Sequence, residues 1–113
     1  MNESKVKNLK LLEIIEQLED GWDGENSQRI ASSSIAAARR FVAEIDTQPI
    51  IYGGGHGLLS LVYQNREGIP YVEVTILSKD LFFISNRVLN EKETSINDAI
   101  FATKVMIELC QCF

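Results

Sequence analysis

Leu9, Leu12, Ile15 and Leu18 recur at three-residue steps, and Leu11 and Ile14 widen the stripe, so an amphipathic helix is predicted over Ser4–Glu19. A second stripe of Ile35, Ala38, Phe41, Val42 and Ile45 predicts another helix, with Arg39, Arg40 and Glu44 facing out. Ser32, Ser33 or Ser34 is expected to cap its start, and Pro49 to end it by disfavouring helix in the residue before it. The period then falls to two. Strands are predicted at Ile50–Tyr52, Leu58–Gln64, Ile69–Leu77 and Leu81–Ser85, with turns at Gly53–Gly57, Asn65–Gly68 and Ser78–Asp80. Asn86–Thr94 is polar and reads as a connection. Ser95 is expected to cap a last helix to about Cys110, whose stripe is Ile96, Ala99, Ile100, Thr103, Ile107 and Cys110, beside Met106 and Leu109.

Consecutive strands with short turns favour an antiparallel meander. The fold class is therefore α+β: two N-terminal helices, a four-stranded antiparallel meander sheet, and a C-terminal helix packed on the sheet. Residues 1–113 form a single domain on this reading, a length that supports one core and not two. The inward sheet face takes Leu59, Leu61 and Tyr63 with Val72, Val74 and Ile76. Leu58, Ser60, Val62, Tyr71, Glu73, Thr75 and Leu77 then fall on the opposite face, which alternates only in part for a solvated surface. A helix, a partner or a second copy of the chain is expected to cover it.

The helical pattern breaks at Gly21-Trp22-Asp23-Gly24-Glu25-Asn26-Ser27, which holds the only tryptophan. Gly21 is placed to take the left-handed conformation that ends a helix, and Trp22 to fold back on the last turn. Asp23-Gly24 is a second turn signal. Gly21, Trp22 and Gly24 are accordingly read as a structural anchor, the indole pegging the helices to the sheet. Glu16, Glu19, Asp20, Asp23 and Glu25 fall within ten residues that contain no Lys or Arg. They form a candidate binding patch for a basic partner, against the plainer reading of a solvated acidic rim. Their spacing is not that of a calcium loop.

Composition narrows the partners. With 45% hydrophobic and 24% charged residues the chain is an ordinary globular one. The net charge of −5 is uneven: residues 1–28 carry three lysines against seven acids. Nucleic acid is disfavoured as a partner, since its binding rests on Lys and Arg neutralising phosphates; Arg39-Arg40 is the one contrary signal. No apolar run reaches membrane-span length, and Met1–Lys5 lacks the apolar core of a secretion signal, so a cytoplasmic protein is expected. Cys110 and Cys112, separated by one residue, suit neither a structural disulfide nor a zinc site. No metal and no cofactor is expected. His56, the only histidine, sits among four glycines in a strand-to-strand turn that lacks the helix N-terminus of a phosphate loop. Acid–base chemistry there would need Asp23 or Glu73 brought to the imidazole.

Gly21-Trp22-Asp23-Gly24, the helix Ile35-Ala36-Ala37-Ala38-Arg39-Arg40-Phe41, Pro49-Ile50, Gly57, Leu59-x-Leu61-x-Tyr63 and Val72-x-Val74-x-Ile76 together resemble a group of small bacterial proteins of no established activity. These carry a G-W-D-G-x-x-A loop, then P-x-I and a glycine-led strand ending in an aromatic. The similarity spans Leu9 to Ser85, and the chain departs from the pattern at Ser27, Tyr52 and Tyr63, where alanine, proline and tryptophan are usual. The resemblance implies a shared fold and carries over no functional residue.

These features point to a non-enzymatic protein-binding or regulatory module of bacterial or mobile-element origin. An inhibitor or antitoxin-like role, an acidic surface blocking a basic site, fits the charge. The alternatives are a small enzyme using His56 in the Gly53–Gly57 loop, and a structural homodimer through the exposed sheet face.

Overall fold

In a computed structural model the chain is described over residues 3–22, 24, 28–54, 57–78, 82–86 and 92–111; within that range Phe83, Ser85, Asn86, Lys92, Cys110 and Gln111 are described by their backbone alone. Helix α1 (Glu3–Glu16) and helix α2 (Ser32–Glu44) are followed by strands β1 (Ile50–Gly53), β2 (Leu59–Gln64), β3 (Pro70–Ile76), β4 (Phe82–Asn86) and β5 (Lys92–Thr94), and by helix α3 (Ile96–Gln111). The fold is α+β.

Helix α1 buries Leu12 and Ile15, with Leu9, Leu11 and Leu18 packed partly against them. Ile14 is 60% exposed and leaves the predicted stripe. At 100° per residue it lies about 130° round the helix from the mid-line of Leu12 and Ile15. The helix also ends three residues before Glu19. Its last turn tightens through Gln17 N–H to the Ile14 carbonyl and Leu18 N–H to the Ile15 carbonyl, both at 3.1 Å, which satisfies carbonyls that regular helix would leave open.

Helix α2 runs antiparallel to α1. Lys5, near the start of α1, donates to the Ala43 carbonyl at 3.1 Å and faces Asp46 at 3.6 Å, both at the far end of α2. Ile35, Ala38, Phe41, Val42 and Ile45 are buried as the spacing requires. The serines do not cap. Ala31 occupies the cap position, in extended backbone and without a side-chain bond, and the three serines form the first turn. Ile30, just before it, is buried.

The sheet is an antiparallel meander of five strands in chain order, not four. The added strand is Lys92–Thr94, inside the stretch read as a polar connection, and it pairs through Phe82↔Thr94 and Ile84↔Lys92. Its three residues carry no apolar alternation, so backbone pairing alone defines it. Ile51, Leu59, Leu61, Tyr63, Val72, Val74, Ile76, Phe82 and Ile84 point inward and join buried residues of all three helices in one apolar cluster. Phe82 and Ile84 are thus what the fourth strand gives to the core. Between β2 and β3 the register shifts at Tyr63/Gln64, since Tyr63 pairs Val72 while Gln64 pairs Pro70. Tyr71, left over in that bulge, brings its ring to 6.2 Å from the Tyr63 ring.

Ser95 caps α3 as expected, its hydroxyl accepting Asp98 N–H at 3.3 Å. Ile96, Ala99, Ile100, Thr103, Met106 and Ile107 are buried against the sheet and α2; Leu109 is exposed. Both α2 and α3 contact the sheet, and the core shared with them fixes the face they cover.

Candidate binding surfaces

The tryptophan loop is held from within. Trp22 N–H bonds the Glu19 carbonyl at 3.2 Å, closing a four-residue turn with Gly21 third in it at φ +87°. Only a residue at ease with positive φ fits that place. Gly21 is therefore a turn residue, five positions beyond the end of α1, and not the helix cap expected of it. Gly24, also at positive φ, bonds back to the Gly21 carbonyl at 3.3 Å. Asp20 Oδ1 accepts Arg29 N–H at 2.9 Å and ties the two ends of the loop together.

The Trp22 ring is half-buried and packs on the core cluster. Its Nε1 donates to the Gln28 carbonyl at 2.8 Å, so the polar end of the indole is satisfied while its benzene edge turns inward. That edge rests over Gly53 at the end of β1: a Cβ built there would lie 3.4 Å from Trp22 Cη2 and 3.2 Å from Ile30 Cδ1. The missing side chain makes the seat for the ring. The indole thus meets the sheet at Gly53. The glycine-rich hairpin abuts the same loop, since a Cβ on Gly57 would stand 3.2 Å from the Arg29 carbonyl.

The acidic patch is partly engaged inside the chain. Glu16 Oε2 faces Arg39 Nη1 at 3.9 Å, both half-exposed, and Asp20 serves the loop closure just described. Glu19 is exposed. Asp23 and Glu25 lie outside the described residues, as do His56 and Cys112; Cys110 is described by its backbone only. Glu73 is exposed on β3 and pairs Val62 in register. Val62 lies five positions beyond Gly57, roughly 15 Å at strand rise, so Glu73 is remote from Gly57. Among the described residues no group of three or more His, Cys, Asp and Glu could hold a metal ion. Among them, too, no helix is long and apolar enough to cross a membrane.

The outer sheet face is exposed along its β1 edge. On β1, an edge strand, Ile50 is 44% and Tyr52 48% exposed. Ile50 pairs Val62, which its neighbours cover to 6% exposure, and Tyr52 pairs Ser60. Ser60 Oγ lies 3.4 Å from Thr75 Oγ1 across the β2–β3 pair, joining two half-buried hydroxyls. The result is an apolar strip along one edge, bordered by Glu73 beside Val62 and by the two hydroxyls beside Tyr52.

A polar network at the other end of the core escaped the sequence reading. Gln48 Nε2 donates to the Val42 and Ile45 carbonyls at 3.1 and 2.6 Å, closing the end of α2. Asn8 Nδ2 bonds Gln48 Oε1 and the Pro49 carbonyl, each at 3.0 Å. The Tyr63 hydroxyl donates to the Thr47 carbonyl at 2.7 Å. Burial first, and the nearby Tyr71 second, push the Tyr63 phenol well above the ordinary tyrosine range. The only trace of this network in the sequence is Asn8, an amide on the mostly apolar side of an otherwise regular helix. Beside it a shallow pocket of about 370 Å³ is lined by Ile45, Asp46, Thr47, Lys104, Ile107 and Glu108.

Comparison with family models, with curated proteins and with solved structures finds no match.

Proposed function

We propose that the chain is a non-enzymatic protein-binding module that meets its partner on the uncovered face of the sheet. One observation supports this above the rest. Ile50 and Tyr52 stand half-exposed on an edge strand beside Val62, on the face opposite the core. An apolar strip rimmed by polar groups is the ordinary anatomy of a protein contact. Among the described strands β1 is an edge, so an extended segment of a partner could extend the sheet there.

The acidic stretch carries less of this reading. Glu16 and Asp20 have partners within the chain, and of the described acids in the stretch Glu19 is left exposed. An inhibitor or antitoxin-like role would use the same surface, with those acids steering a basic partner toward it. A bacterial or mobile-element origin rests on the resemblance of the Gly21–Gly24 loop alone.

Affinity capture with the tagged chain tests the assignment. The double variant Ile50→Lys with Tyr52→Asp should lose the proteins that wild type retains, while Glu19→Lys retains them at reduced yield. If the double variant, shown folded by its circular dichroism, holds the same proteins as wild type, the sheet face is not the contact.

A further inference from the structure

Helix α3 is apolar on two opposite sides. Ile96, Ala99, Ile100, Thr103, Met106 and Ile107 face the core, while Phe101, Val105 and Leu109 are 69%, 38% and 46% exposed. Four-residue spacing sets those three on one line, directly opposite the buried stripe. A helix with apolar residues on two opposite sides has one side more than the core covers.

We infer that a second copy of this chain covers the outer side of α3, the two helices packing antiparallel about a two-fold axis at Val105. The spacing is self-complementary. Phe101 lies about 6 Å before Val105 along the helix axis and Leu109 about 6 Å after it, so the axis sets each Phe101 against Leu109 of the second copy. Val105 meets its own counterpart. The charges match in the same register. Lys104 and Glu108 are exposed, share one flank about 40° apart, and neither enters an ion pair among the described residues. In an antiparallel pair equal flanks meet, and the axis brings Lys104 to within about 3 Å, measured along the helix, of Glu108 of the second copy, twice over. Parallel packing would bring opposite flanks together and part the two charges. The interface is small, with three large apolar side chains from each copy, at or below the low end of specific interfaces of about 1,200 Å². Pairing is therefore weak and depends on concentration. It leaves the outer sheet face free and does not rest on the function proposed above.

Sedimentation equilibrium of the full chain up to about 1 mM tests the inference, since that concentration detects dissociation constants to about that value. Wild type should dimerise. Lys104→Glu and Glu108→Lys, which place like charges together at both ends, should each weaken the dimer by about tenfold, and the double swap should recover it to within about threefold. Val105→Asp, with two carboxylates at the axis, should be monomeric at an unchanged melting temperature. Monomeric wild type at about 1 mM would overturn the inference. So would a dimer that Val105→Asp and the charge reversals leave as strong as before, because its interface must then lie elsewhere.

Discussion

Gly53 and Trp22 are one device made of two residues. The glycine leaves a gap at the end of β1, and the indole fills it while its N–H reaches the Gln28 carbonyl. Trp22→Ala should cost about 2–3 kcal/mol by denaturant titration, since it exposes part of the core end and removes one satisfied donor. Gly53→Ala is milder. Its nearest contacts are side-chain atoms, Ile30 Cδ1 at 3.2 Å and the edge of the indole at 3.4 Å. The aliphatic tip can turn aside, so about 1 kcal/mol is expected, with a red shift in the emission of this single tryptophan as the ring is lifted. Tyr63 carries the pH dependence. Its folded phenol is held above the ordinary range, so its contribution is complete below the unfolded value of about 10 and declines as pH rises past it, where the unfolded chain ionises first. Tyr63→Phe should cost about 1–2 kcal/mol at neutral pH by stranding the Thr47 carbonyl. It should also flatten the loss of stability measured above about pH 10.

At the scale of elements, side-chain bonds that cross the sequence decide where helices stop. Helix α2 ends where Gln48 takes the Val42 and Ile45 carbonyls, and Asn8 holds Gln48 from α1. Gln48→Ala should therefore destabilise by about 1–3 kcal/mol, well beyond an ordinary exposed glutamine, and Asn8→Ala should overlap with it in a double-mutant cycle. Such couplings span about forty residues and leave no periodicity to read. Apolar spacing did specify α2, α3, β2 and β3 closely, because each buries one face against the same core and the period of that face is written in the residues. It failed at β5, a short backbone-paired strand without alternation, and at Ile14, which sits at a plausible spacing on the wrong arc of α1. The loop shows the same division. Positive φ at Gly21 and Gly24 was legible from residue type, whereas the seat for Trp22 on Gly53, some thirty positions away, was not.

For the molecule as a whole, the apolar surface divides by layer. One side of the sheet and the inner sides of the helices make the core. Among the described residues, the large apolar groups left exposed are Ile14 on α1, the strip at Ile50 and Tyr52, and the outer line of α3. Charge is arranged differently, for the acids around Trp22 are partly turned to work within the chain. A partner bound by the apolar strip should thus depend weakly on salt, and one bound by the acids strongly. Capture of partners at about 0.1 M and about 1 M salt, between which the screening length falls from about 10 Å to about 3 Å, separates the two. Retention that persists at the higher salt is the expected result; complete release there would contradict the assignment of the sheet face.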